Sequence, residues 1–311
     1  MERYTGEVFG LGAACMWSIG SLLFSRVRVA AAAMNLFKNT VGATLLLFTL
    51  LGIAFATGES PFHPSAAAWM YLGASAIVGL AIGDTCFFRS LQILGPRRAL
   101  VVTMVAPPAA VLLGWTVLGE AQTPFAVAGV ILTLTGVAWV VRERGLANES
   151  PGHFPSSPVV GLVYGVAGSV CQAVGALWAK QGIQALAAVG APRPAMEASF
   201  LRLLAAVIAG LIVGLAARRL RVWGAQLRAP GHLPRLIPAA FCGTYLGIWF
   251  SLLAFQHTSI GVASTLTSTS PIFVLPLVWF FLRQKITVRA LLGTCVAIGG
   301  VVLLFIGRTP N

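Results

Sequence analysis

Residues 83–120 read GDTCFFRSLQILGPRRALVVTMVAPPAAVLLGWTVLGE, and residues 247–284 read GIWFSLLAFQHTSIGVASTLTSTSPIFVLPLVWFFLRQ. Laid over one another without a gap, at an offset of 164, they bring Gly83 onto Gly247, Gln92 onto Gln256, Thr103 onto Thr267 and Pro107 onto Pro271. Trp115 falls on Trp279, and beyond the quoted stretch Thr123 falls on Thr287, Gly129 on Gly293 and Gly136 on Gly300. The apolar runs agree, but the charges do not. Arg97 and Arg98 lie over Gly261 and Val262, whereas Gly119, Ala121 and Phe125 lie over Arg283, Lys285 and Arg289. A repeated membrane unit whose connector charges change sides is inserted in opposite orientations, and inverted repeats are a signature of transporter folds.

Composition points the same way. Of 311 residues 58% are hydrophobic and only 9% charged, with a mean hydropathy of +0.88. Soluble domains carry about a quarter charged residues, so lipid is the main solvent of this chain. The net charge of +13 resides in short connectors between apolar runs, as topology determinants do, and argues against nucleic-acid binding. All five cysteines (Cys15, Cys86, Cys171, Cys242, Cys295) lie in apolar segments without a CxxC pair, and read as small packed hydrophobes. The four histidines lack metal-ligand spacing, so neither a metal site nor a cofactor is expected.

Crossing about 30 Å of hydrocarbon takes roughly 20 helical residues. Turn signals and charges divide the chain into ten such stretches: 6–25, 34–57, 67–91, 98–119 and 123–141, then 158–181, 195–217, 236–256, 260–282 and 288–307. The expected fold is therefore all-α and polytopic, with ten transmembrane helices in two inverted five-helix repeats, 1–141 and 158–311. The polar linker 142–157 joins them. The early spans repeat as well: Gly6, Val8, Gly10, Gly20 and Leu22 match Gly161, Val163, Gly165, Gly175 and Leu177 at an offset of 155. Connectors after odd-numbered spans carry fourteen positive residues, among them Arg26, Arg97, Arg142, Arg219 and Arg289, while the other side holds only Arg3, Arg193 and Arg308. That bias places the odd connectors in the cytoplasm and both termini outside, in a multi-pass cell (inner) membrane protein.

The run Gly83–Glu120, followed by Gly129 and Gly136, resembles the EamA-type repeat of the drug/metabolite transporter superfamily, as does the copy that begins at Gly247. The likeness covers nearly the whole chain. It implies a ten-helix carrier of small metabolites, often an exporter, with a central cavity between the repeats. One departure stands out: the family's Gly-Glu at the end of the fourth helix is Gly119-Glu120 in the first copy but Arg283-Gln284 in the second.

Several residues are candidates for the transport site. Pro107 and Pro271 fall near the middle of predicted spans and deprive the carbonyls of Thr103 and Thr267 of their usual donors. Such kinks either gate a hydrated cavity or are patched locally by hydroxyls. Lys38 and Arg202 correspond at the 164 offset and lie one or two turns inside their spans. A charge at the membrane centre costs about 2.5–3.5 kcal/mol even on insertion scales, so these residues either snorkel, pair internally or serve a substrate. Asp84, the only aspartate of the chain, could balance Lys38 or Arg89, bind a substrate amine or take up a proton. Trp17 and Gln172 occupy equivalent positions, and Tyr245 and Trp249 lie one turn apart. All four read either as core aromatics and polar fillers or as cavity lining. The GxxxG pairs Gly79–Gly83 and Gly243–Gly247 read as close helix packing.

The expected function is secondary transport, in the export direction, of small organic metabolites such as amino acids or related compounds. The mechanism is alternating access by a monomer in the lipid bilayer, with proton coupling through Asp84 as one option. A flippase for amphiphilic or lipid-linked substrates is the alternative. No GxxxxGK[ST], HExxH or GxSxG occurs, which argues against ATP drive within the chain and against an enzyme.

Overall fold

The computed structural model describes residues 4–63, 65–118, 123–142, 157–258, 260–283 and 287–306, and all regular structure among them is helical. In chain order the elements are α1 (Thr5–Phe24), α2 (Ala31–Thr57), α3 (Ala66–Ser75), a π-helical segment (Ala76–Gly83), α4 (Asp84–Thr103), α5 (Ala106–Leu118) and α6 (Pro124–Arg142). The second half follows with α7 (Pro158–Ala188), α8 (Pro194–Ala216), α9 (Leu220–Arg228), α10 (Leu233–Ala240), a second π segment (Phe241–Leu246), α11 (Gly247–His257), α12 (Ile260–Thr267), α13 (Ser270–Leu282) and α14 (Val288–Ile306). Among the described residues, eight helical stretches are long and apolar enough to cross a membrane. They present large apolar side chains outward, Phe55 and Phe280 among the most exposed, as lipid-facing surfaces must.

Local chemistry explains the element ends. Pro158 and Pro194 open α7 and α8 in the first turn, where a missing N–H costs nothing. The Ser65 and Ser157 hydroxyls accept the backbone N–H groups of Ala68 and Val159. Gly58 closes α2 with φ 72°, and its N–H donates to the Ala54 carbonyl at 2.8 Å.

The ten predicted stretches are not all recovered as single spans. The predicted connector between 91 and 98 is present as a sharp break at Gly95 (φ 80°, ψ 168°), where two helices meet across a kink within α4 and Pro96 follows the break. Stretch 98–119 is then divided between the end of α4 and the thirteen-residue α5. The last stretch, 288–307, is matched by α14, Val288–Ile306. The amphipathic α9 was not anticipated; it tucks Trp223 against α2 residues in a buried cluster with Met34 and Leu236. The predicted linker lies, apart from Arg142 and Ser157, outside the described residues.

The repeat is visible in three dimensions. Both π segments fall at equivalent positions, ending at or beside Gly83 and Gly247. Partner choice is reciprocal: α1 packs along α10, the second π segment and α11, while α7 packs along α3, the first π segment and α4. The counterparts α2 and α8 pack together, as do α6 and α14. Each crossing runs over small residues, which let backbones approach. A Cβ added to Gly20 would fall 2.7 Å from Gly243 Cα, and one added to Gly175 would fall 3.0 Å from Gly79 Cα. These are the same contact made twice, once per repeat.

Candidate functional site

A cavity of about 220 Å³ lies where α1, α2, α4, α5, α7, α8, α11 and α12 converge between the repeats. Its polar centre is built from α2. There Asn35, Lys38 and Asn39 occupy one face at i, i+3 and i+4, all three buried. Lys38 Nζ donates to Asp84 Oδ2 at 2.7 Å and to Asn39 Oδ1 at 2.7 Å, and stands 5.9 Å from the centre of the Phe88 ring. The second Asp84 oxygen accepts from Gln172 Nε2 at 2.5 Å. Both oxygens of the carboxylate are thus engaged.

The first π segment explains why these amides gather here. Its wider turn shifts the backbone register, and freed carbonyls in a membrane interior need other donors. Asn35 Nδ2 donates to the Leu80 carbonyl at 2.7 Å and the Ala81 carbonyl at 3.1 Å. Thr85 Oγ1 donates to the same Ala81 carbonyl at 2.7 Å, and Gln172 Nε2 reaches the Gly79 carbonyl at 3.3 Å. The irregular backbone is therefore tied to both repeats, and Asp84 is the first residue after it.

Arg202 also lines the cavity, 5% exposed, on α8. Its Nε has no hydrogen-bond partner. Trp17, Thr103, Pro107, Gly243 and Thr267 complete the predicted residues that the cavity collects. Gly247 makes room for Trp17, since a Cβ there would come within 2.6 Å of the indole.

Other predicted residues stand outside the lining. Tyr245 and Trp249 belong to an aromatic stack, with ring centres 5.4 Å apart for Phe241–Tyr245 and 5.8 Å for Tyr245–Trp249. The Tyr245 hydroxyl lies 2.9 Å from Thr49 Oγ1. Gly79, Gly83 and Gly247 back the cavity as packing positions facing Gly175, Cys171 and Trp17. Pro271 is buried and outside the lining.

The prolines need a correction. Neither kinks a continuous helix. The chain breaks at Met104–Val105 and again at Ser268–Thr269, and Pro107 and Pro271 each sit second in the helix that follows. A proline in the first turn forfeits no helical hydrogen bond, so a break costs less than a bend. The Thr267 carbonyl, deprived of a donor by Pro271, accepts from Ser270 Oγ at 2.8 Å. Ser18 Oγ on α1 donates to the Ser270 carbonyl at 2.7 Å and joins the break to the first repeat. Thr267 and Thr269 turn their hydroxyls back onto their own turns, and Ser268 lines the cavity.

Sequence reasoning missed Asn35, Asn39 and Ser18. Polar residues at helical spacing around Lys38 in an otherwise apolar run were the available signal.

At the end of the bundle where α2 meets α3, Glu197 accepts from the His63 backbone N–H at 2.7 Å, and its other oxygen lies 3.1 Å from His63 Nδ1. Beside it Arg193 Nη1 donates to Glu59 at 2.6 Å. That hydrogen bond holds the exposed Glu59 carboxyl below the usual carboxylate range. Because the folded value is depressed, the contact contributes in full above the ordinary glutamate pKa and is lost as pH falls through the lowered one. Thermal stability of native protein and Glu59→Gln, compared across acid pH, is expected to converge below that value.

The sequence model of the EamA-like transporter family matches residues 4–142 and 159–306. No curated protein matches the chain. A solved structure described as "Crystal structure of protein" superposes with a TM-score of 0.64 at 16% identity, covering 97% of this chain and 96% of its own. That likeness concerns the fold. With two family matches that together span nearly the whole sequence, and a buried polar cavity where the matched halves meet, this chain belongs to the EamA-like transporter family.

Proposed function

We propose that the protein is a secondary carrier that moves small organic metabolites, amino acids or related compounds among them, by alternating access around the cavity between its repeats. The observation that carries this reading is the cavity itself. It joins residues of both repeats, and its polar centre is one that a purely structural bundle has no reason to keep. Helices broken at matching places, Met104–Val105 and Ser268–Thr269, border it, as discontinuous helices border substrate sites in transporters built from repeats. Reciprocal packing of the halves supports ten spans in two inverted five-helix repeats. The arginine-rich connectors support a cytoplasmic location for the odd loops, with both termini outside the cell membrane.

The size of the cavity favours this over a flippase. At about 220 Å³ the cavity lies below the roughly 300–1,000 Å³ of ordinary small-molecule sites, which suits a small metabolite better than a lipid headgroup with its chains. The test is thermal stabilisation of the purified chain in detergent across amino acids, nucleosides, amines, sugars and lysolipids, since a ligand of the folded state raises its melting point. Stabilisation by small polar metabolites, lost on Trp17→Ala or Thr267→Val, is expected; stabilisation by lysolipids alone would favour the flippase. Where flux follows a pH gradient, Asp84→Asn is expected to abolish that dependence. Persisting proton-driven flux in the inserted variant removes Asp84 from the coupling.

A further inference from the structure

Among the described cavity-lining residues three are ionisable, Lys38, Asp84 and Arg202, and they do not balance. Each repeat supplies one cation, since Lys38 and Arg202 correspond at the 164 offset, but only the first supplies an acid. The counterpart of Asp84 is Ile248, which lines the same cavity. Asp84 is already held by Lys38 and Gln172. The carboxylate nearest in sequence to Arg202, Glu197, is engaged by His63. Arg202 makes no ion pair among the described residues, and its buried Nε is unpartnered. The one carboxylate whose charge acts on Arg202 is Asp84, already paired with Lys38, and a buried cation that shares its counter-charge with another is costly, more so at membrane depth.

Resting on the carrier reading, we infer that the transported solute is a small organic anion whose carboxylate lodges against the Arg202 guanidinium. The planar fork of arginine matches a carboxylate with two parallel hydrogen bonds, a geometry that lysine cannot offer. An incoming carboxylate supplies the missing negative charge, so loading neutralises the cavity. That neutrality lowers the cost of moving the loaded centre past the membrane interior. The rest of the lining is mainly apolar, with Trp17, Phe87, Phe88 and Leu100 alongside the hydroxyl-bearing Thr103 and Ser268. It suits a short apolar body behind the carboxylate, and the volume of about 220 Å³ admits a small solute.

The experiment compares isosteric sets on the purified full chain: phenylacetate, phenylacetamide and phenethylamine, then butyrate, butyramide and butylamine, with lysophosphatidylcholine alongside. Melting point is followed against concentration. The carboxylates are expected to stabilise, with apparent affinities roughly ten- to a hundredfold above their amides, and the amines to give nothing. Arg202→Gln is expected to erase the difference between acid and amide. Arg202→Lys, which retains the charge, is expected to keep the preference for acids while weakening them about tenfold, and it serves if the glutamine variant does not fold. Equal stabilisation by amide or amine, no stabilisation by either carboxylate, or carboxylate binding unchanged in Arg202→Lys would each overturn the inference. In the first of these cases the carrier reading survives with a different substrate class. Stabilisation by lysophosphatidylcholine alone sinks both.

Discussion

Asp84→Leu is expected to lower the stability of the folded protein by about 3–5 kcal/mol, the range for breaking a buried ion pair from one side. The substitution strands Lys38, which is 5% exposed and whose ammonium has Asp84 at 2.7 Å as its only ion-pair partner among the described residues. It also leaves Gln172 without the acceptor that fixes it between the repeats. Removing both charges is another matter. In Lys38→Met/Asp84→Leu the ion pair goes as a unit and only Arg202 keeps a charge in the cavity, so much of the loss is expected to return, because apolar replacement of a buried pair is often close to neutral. Unfolding titrations of the two single variants and the double variant give the coupling directly. A single variant as stable as the double would mean that the pair is solvated and that the cavity centre is wetter than its burial indicates.

A loss of similar size is expected where α6 crosses α14. A Cβ on Gly136 would collide with the backbone N of Ala297 and lie 2.7 Å from the Gly293 carbonyl; one on Gly300 would collide with the Thr133 backbone and lie 2.9 Å from the Gly129 carbonyl. The obstacles are main chain, not the ends of flexible side chains, so the helices themselves must separate. Gly136→Leu and Gly300→Leu are expected to cost about 3 kcal/mol or more, the upper end for overpacking. Gly52 is the control. It sits in α2 with nothing within 4 Å of an added Cβ, and Gly52→Ala is expected to leave stability unchanged or raise it by up to about 1 kcal/mol through helix propensity. Equal losses at Gly52 and Gly136 would show that glycine flexibility, and not close approach, decides both.

The repeat was legible because it is written in glycines and prolines at fixed offsets. Gly20, Gly79, Gly175 and Gly243 cannot carry side chains where two backbones meet, so the pattern survives in the sequence. Lys38, Asp84 and Arg202 stood out because ionisable residues in apolar runs are few. What the prolines do there was harder to read. A proline ten residues into an apolar run is compatible with a bent helix or with two short ones, and only the neighbouring turns at Met104–Val105 and Ser268–Thr269 separate the cases. The π segments left no trace of their own, since i→i+5 hydrogen bonding has no compositional signature; their mark is the set of amides that satisfy them, Asn35 and Gln172. Tyr245 and Trp249 show the limit of aromatic spacing. One turn apart, they share a helix face, but spacing alone does not say whether that face looks into a cavity or onto Thr49. The amphipathic α9 was obscured by its arginines, which read as a topology signal before they read as one face of a helix.

The most direct test of the carrier account is access to a single cysteine at Ser268, which lines the cavity beside the break between α12 and α13. It would be placed in a chain whose five native cysteines are replaced, and reconstituted vesicles would be exposed to a membrane-impermeant maleimide on one face or the other. The account predicts labelling from both faces and protection by a stabilising small solute. Labelling from one face only, unaltered by any solute, would contradict alternating access through this cavity.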